Sequence, residues 1–115
     1  MKLKDLANLP ALSPLQPRGN LDAVVSGGYT GDLLSDVMGH AAEGNVWITC
    51  QTHENIVAVA RLKNLAGIII VNGRKPDDDV LRRAREEGIP IFGTAEPAFM
   101  VGGTLHALLR GPKER

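Results

Sequence analysis

Apolar positions fall along this chain in two kinds of block. Val46 to Cys50 (VWITC) and Gly67 to Val71 (GIIIV) are short, nearly unbroken apolar runs rich in β-branched residues. Runs of that kind predict strands covered on both faces. Leu21 to Ser26 (LDAVVS) and Ile89 to Phe92 are shorter predicted strands, the second holding a proline near its start. In the other kind of block apolar residues recur with a helical period. Asp32 to Ala42 places Leu33, Leu34, Val37, Met38 and Ala41 on one face. His53 to Leu62 carries Ile56, Val57, Val59, Ala60 and Leu62. Asp77 to Glu87 turns Val80, Leu81 and Ala84 inward. A last helix is predicted from Pro97 to Leu109.

Punctuation supports these bounds. Thr30 or Asp32, then Thr52, are candidate N-caps. Asp77, Asp78 and Asp79 fill a first helical turn, where negative charge is favoured. Gly44 and Gly88 are natural stops. Gly102 and Gly103 inside the last helix cost roughly 1 kcal/mol each in propensity. Close approach to another backbone, or a break in the helix, would account for them. Residues 1–20 form an irregular N-terminal segment. A short helix over 2–9 is followed by Pro10, Pro14 and Pro17, which forbid a long helix and a central strand. Ala11 to Leu15 is a candidate edge strand, and Arg18-Gly19-Asn20 reads as a turn. The segment either wraps the body or meets a partner subunit. Residues 111–115 read as a frayed tail.

Strand and helix thus alternate four times. The predicted fold is α/β, a three-layer α/β/α sandwich on a mainly parallel sheet of about four or five strands. All 115 residues fit one domain. Parallel strands bring the loops after Ser26, Cys50, Val71 and Phe92 to one edge, where open α/β sheets bind ligands.

Composition narrows the function. Thirteen basic residues balance thirteen acidic ones, so no positive field draws nucleic acid. The single cysteine excludes an internal disulfide and fits a reducing compartment. No apolar run approaches a membrane span, and the N-terminus shows no convincing cleavage site, so a cytoplasmic protein is expected.

Candidate chemistry lies in the strand-end loops. Ser26, Gly27, Gly28 and Tyr29 stand in the first, Gln51, Thr52 and His53 in the second, Asn72, Gly73 and Arg74 in the third, and Thr94 in the fourth. Each loop leads into a helix N-terminus, which can hold an anion through backbone N–H groups, and Arg74 and Lys75 add positive charge. The plainer reading is that every strand-to-helix turn looks like this, since helices need caps and tight turns need glycine. Neither a dinucleotide fingerprint nor a P-loop is present, which disfavours a P-loop kinase. Cys50 and His53 lack a third group for nucleophilic catalysis, and Cys50 reads as a core thiol. No histidine, cysteine or carboxylate spacing suggests a metal site or a cofactor.

The runs GGYTGDLLSDV, QTHENIVAVA and IIIVNGRKPDDDV to GIPIFGT closely resemble the small stand-alone DRTGG-domain proteins, often named serine kinase-like. The resemblance covers about Leu21 to Leu109, although the pentad DRTGG itself is missing. It implies an α/β/α fold similar to the N-terminal domains of HPr kinase/phosphatase and of some Mur ligases, and a homodimer. It does not carry kinase activity, because the catalytic P-loop belongs to another domain. The expected function is a non-catalytic regulatory or small-ligand-sensing domain that binds a phosphorylated metabolite or nucleotide at the strand ends. The alternatives are a protein-interaction or scaffold domain acting as a homodimer, and an uncharacterised phosphoryl- or acyl-transfer enzyme; a regulatory protein is a further candidate partner.

Overall fold

A computed structural model describes residues 1–16 and 19–111. The elements are α1 (Leu3–Ala7), β1 (Ser13–Gln16), β2 (Gly27–Thr30), α2 (Leu34–His40), β3 (Asn45–Thr49), α3 (Asn55–Leu62), β4 (Gly67–Ile70), α4 (Asp78–Glu87), β5 (Ile91–Gly93) and α5 (Ala98–Arg110). They build an α/β fold on one five-stranded sheet of order β1-β5-β4-β3-β2. The four strands from β2 to β5 are parallel and β1 runs antiparallel to β5. Arg18 of the predicted turn, and the tail beyond Gly111, lie outside the described residues.

The continuous apolar runs form β3 and β4, and every residue of both strands is buried. Alternate side chains feed two cores, as a pleated strand requires. Trp47, Ile68, Ile70 and Ile91 join Val37, Ile56, Ala60 and Ala84 from α2, α3 and α4. Val46, Ile48, Ile69 and Phe92 join Leu3, Leu6, Val101 and Leu105 from α1 and α5. Because β2 to β5 follow one another in space as in sequence, right-handed crossovers send α2, α3 and α4 to the same face. From β2 onward the chain changes face once, after β5, where α5 crosses to the face that α1 covers.

Several boundaries differ from the sequence reading. The strand predicted over LDAVVS is displaced to Gly27–Thr30. Its valines pair outside the main sheet instead: Val25 N–H donates to Met1 O (2.8 Å), Leu3 N–H donates to Ala23 O (2.9 Å), and Val24 bridges Lys2. The two glycines are therefore strand residues, and Gly28 admits α5, since a Cβ there would lie 2.8 Å from Leu105 Cδ2. Helix α2 starts at Leu34 rather than Asp32, and of its predicted face Leu33 and Met38 stay exposed. Thr52 does not cap α3; the Asn55 N–H donates to His53 Nδ1 at 3.1 Å. Strand β5 begins at Ile91, and Ile89 belongs to the turn before it. Helix α5 runs unbroken through Gly102 and Gly103. Among the described residues no backbone outside the helix comes within 4 Å of a Cβ at either, the one neighbour being Thr30 Oγ1, 3.8 Å from a Cβ at Gly102.

Candidate functional site

The four parallel strands end at Thr30, Thr49, Ile70 and Gly93. The loops after β4 and β5 leave on opposite faces of the sheet, toward α4 and α5. Adjacent strands with diverging exits make the crevice in which open α/β sheets hold ligands. Here the two loops are joined at their bases. Asn72 N–H donates to Glu96 O (3.0 Å) and Gly73 N–H to Thr94 O (2.8 Å). Asn72 and Gly73 both take positive φ, 63° and 70°, and turn the chain sharply out of β4. Asparagine and glycine are the residues that tolerate that region. The turn throws Arg74 and Lys75 outward, and buried Pro76 anchors the return into α4.

Strand β1 closes the crevice on its outer side. Ser13 pairs with Gly93, and Pro14 with Phe92, so the antiparallel strand starts where β5 ends. The result is a cavity of about 360 Å³ lined by Ala11, Ser13, Gly73, Arg74, Lys75 and Thr94 among others. Arg74 and Lys75 make no ion pair among the described residues. Thr94 is buried, and its Oγ1 accepts from the Glu96 N–H at 3.1 Å. The backbone N–H groups of Asn72 and Gly73 are already bonded, so an anion here would meet side chains rather than a backbone nest.

The ends of β2 and β3 are held by Asp32. Its carboxylate accepts from Thr49 Oγ1 (2.8 Å) and from Cys50 N–H (2.9 Å), and its carbonyl oxygen accepts from Gln51 Nε2 (3.0 Å). The Cys50 amide lowers the Asp32 pKa most; burial opposes this, while the Thr49 hydroxyl and the Arg74 charge assist. Burial, then the Asp32 hydrogen bond and charge, push the Cys50 thiol up, with Arg74 opposing. A thiol held protonated is no nucleophile at neutral pH.

The eleven residues singled out in the strand-end loops thus part company. Asn72, Gly73, Arg74 and Thr94 come together at the crevice. Gln51, Thr52 and His53 line a separate hollow of about 360 Å³ whose far wall is Asp77 and Asp79 at the start of α4. That hollow is acidic, and its histidine is engaged with the start of α3. Ser26 and Gly27 lie at the opposite edge of the sheet, because Gly27 pairs with Asn45, the first residue of β3. Ser26 Oγ donates to Glu43 O (2.6 Å) and accepts from Asn45 Nδ2 (3.1 Å), a turn-fixing role. Gly28 and Tyr29 stand within β2. Tyr29 packs beside the first core and donates its hydroxyl to the Asp36 carboxylate, which raises the phenol pKa. Ser13 and Ala11 escaped sequence reasoning because β1 reaches the site only through pairing with β5. Asp32 was read as a helix cap, but its oxygens hold β3 instead. Among the described residues no group of three or more His, Cys, Asp or Glu side chains is placed to hold a metal ion. No described helix is long and apolar enough to cross a membrane.

An open, mostly parallel sheet, with a basic cavity at the exits of its last two parallel strands, defines the α/β class of the fold. Residues 21–108 match the model of the DRTGG domain, and the chain belongs to that family. In fold it is similar to the crystal structure of the CBS and DRTGG domains of the regulatory region of Clostridium perfringens pyrophosphatase, complexed with the activator diadenosine tetraphosphate. The TM-score is 0.68 at 14% identity, over 90% of this chain and 45% of that one, so the chain spans about half of that region. No curated protein matches the chain.

Proposed function

We propose that this chain is a non-catalytic regulatory domain that senses a small anionic ligand, a phosphorylated metabolite or nucleotide, in the crevice after β4 and β5. The observation that carries this reading is the cavity lined by Arg74, Lys75, Ser13 and Thr94, whose two cations make no ion pair among the described residues. Two cations outside any ion pair among the described residues, Arg74 acting on Asp32 only through its charge, suit a phosphoryl group beside hydroxyls able to donate. The regulatory region similar in fold is complexed with a polyphosphate-bridged activator, which accords with a sensing role. Titration calorimetry against a panel of sugar phosphates, acyl phosphates and inorganic tripolyphosphate tests it. Saturable binding is expected, weakened about tenfold or more in Arg74→Ala and reduced by added salt. A panel without any binding rejects the reading.

A second reading, association into a homodimer, is favoured by one surface. Phe99 is 88% exposed and Met100 52% exposed, beside Thr30 of β2 and the smooth Gly102-Gly103 stretch of α5. Strand β2 is the sheet edge, with one row of backbone groups unpaired. An apolar helix face next to an open edge suits a two-fold contact with a second copy. Light scattering should give twice the chain mass, and Phe99→Asp should halve it; a monomer at high concentration rejects the dimer.

A further inference from the structure

A second cavity, of about 210 Å³, lies on the other side of the Thr94–Glu96 turn. Leu6, Leu12, Ile69, Val101 and Leu105 give it apolar walls, under the N-terminal arm and against α5. Glu96 and Thr104 are its polar lining residues. Glu96 makes no ion pair among the described residues. The space equals roughly seven waters at about 30 Å³ each, yet so apolar a lining offers few of the partners that ordered water needs. The space is a cleft half open to the surface, with Pro10, Ala11 and Thr104 exposed at its rim.

The two cavities are neighbours. Ala11 lines both, Thr94 and Ala95 line the basic one, and the next residue, Glu96, lines the apolar one. Each complements half of one ligand. The basic side offers Arg74 and Lys75; the apolar side offers aliphatic walls with Glu96, a carboxylate residue, in its lining. We propose that together they form one bipartite site for a nucleotide whose base carries an exocyclic amino group. The base enters between the N-terminal arm and α5 and donates its amino hydrogens to Glu96, while the phosphates lie on Arg74 and Lys75. Taken together the volumes fall in the usual range for small-molecule sites, about 300–1,000 Å³, whereas the apolar cavity alone is below it. A base that presents only a carbonyl at that position meets the carboxylate acceptor to acceptor, so uracil is disfavoured.

This proposal rests on the reading of the basic cavity as an anion site, and the test separates the two. Titration calorimetry of the full chain is run with ATP, GTP, CTP, UTP and inorganic tripolyphosphate at one ionic strength. At least one amino-bearing nucleotide is expected to bind tenfold or more tighter than tripolyphosphate and than UTP. In Glu96→Gln that preference should fall about tenfold, with tripolyphosphate affinity unchanged. As a measurement that needs no variant, methyl resonances of Leu12, Val101 and Leu105 should shift with the preferred nucleotide and stay still with tripolyphosphate. If tripolyphosphate binds as tightly as every nucleotide and those methyls do not move, the nucleotide site is overturned while the anion site stands. If neither tripolyphosphate nor any nucleotide binds, the nucleotide site is overturned, and the anion site falls with it when the sugar and acyl phosphates also fail to bind.

Discussion

Asp32 shows how one side chain can shape a site it does not enter. Its carboxylate ties the end of β3 through the Thr49 hydroxyl and the Cys50 amide, and Thr49 is buried. Removing the acceptor leaves both donors to find water at a crowded strand end. Hydrogen bonds to a charged group contribute about 1.5–3 kcal/mol, and Asp32 is exposed enough to reduce that by solvent screening. Asp32→Ala should therefore lower unfolding stability by about 1–2 kcal/mol at pH 7, measured by urea denaturation. The pH dependence follows from the lowered pKa. As pH falls, the unfolded chain takes up this proton first, near the ordinary value of 3.8. The stabilisation is thus complete above that value and is lost as pH falls through the lower folded pKa. The gap between the native chain and Asp32→Ala should stay constant near neutrality and close in acid. A gap of the same size down to full protonation would show that the carboxylate charge plays no part. In sequence Asp32 read only as a helix cap, because its partners Thr49 and Cys50 are 17 and 18 positions away.

At the scale of elements, legibility followed burial. Strands β3 and β4 were plain because both faces are covered, so no polar position interrupts them. Helix α4 was plain because acidic residues open it and Gly88 closes it with φ 71°. Edge elements were not. The β-branched valines of LDAVVS are drawn to the N-terminal arm, while β2 is built from GGYT, a poor strand by propensity, because only glycine leaves room for Leu105 at Gly28. Likewise β1 is a proline-containing edge strand whose place beside β5 no local pattern reveals. Arg74 and Thr94 were legible as turn residues on the loops they occupy, but the diverging exits that bring them together depend on strand order. The glycine pair of α5 is a different matter, since packing within the fold does not demand it. A Cβ at Gly103 would meet nothing within 4 Å. Gly103→Ala should therefore stabilise the folded chain by about 0.5–1 kcal/mol, the ordinary helix-propensity gain. If the pair is kept for contact with a second copy, the same change should also weaken self-association. A Gly103→Ala chain that unfolds more easily than its parent would show a constraint on α5 that its surroundings do not reveal.

For the molecule as a whole, the proposed sensing site and the proposed dimer surface share one element. The turn Thr94–Glu96 lies between the two cavities, Pro97 follows it, and Phe99 and Met100 stand in the first turn of α5. A ligand that orders this turn fixes the helix start that carries the exposed apolar side chains. Coupling of this kind is a free-energy difference between states, and it is reciprocal: because the dimer carries two sites, saturating ligand strengthens dimerisation by the square of the factor by which dimerisation strengthens binding at each site. Typical couplings of about 1–3 kcal/mol correspond to roughly 5–150-fold. The dimer constant should therefore rise by the square of such a per-site factor when saturating tripolyphosphate or nucleotide is present, as measured by sedimentation. Affinity for that ligand, measured with Phe99→Asp, should fall by the per-site factor, the square root of the change in the dimer constant, although Phe99 lines neither cavity. Equal affinity in the native chain and in Phe99→Asp, with the dimer constant indifferent to ligand, would leave α5 as a passive wall. A shift in one quantity without the other would break the linkage relation and point to ligand bound at the dimer surface itself.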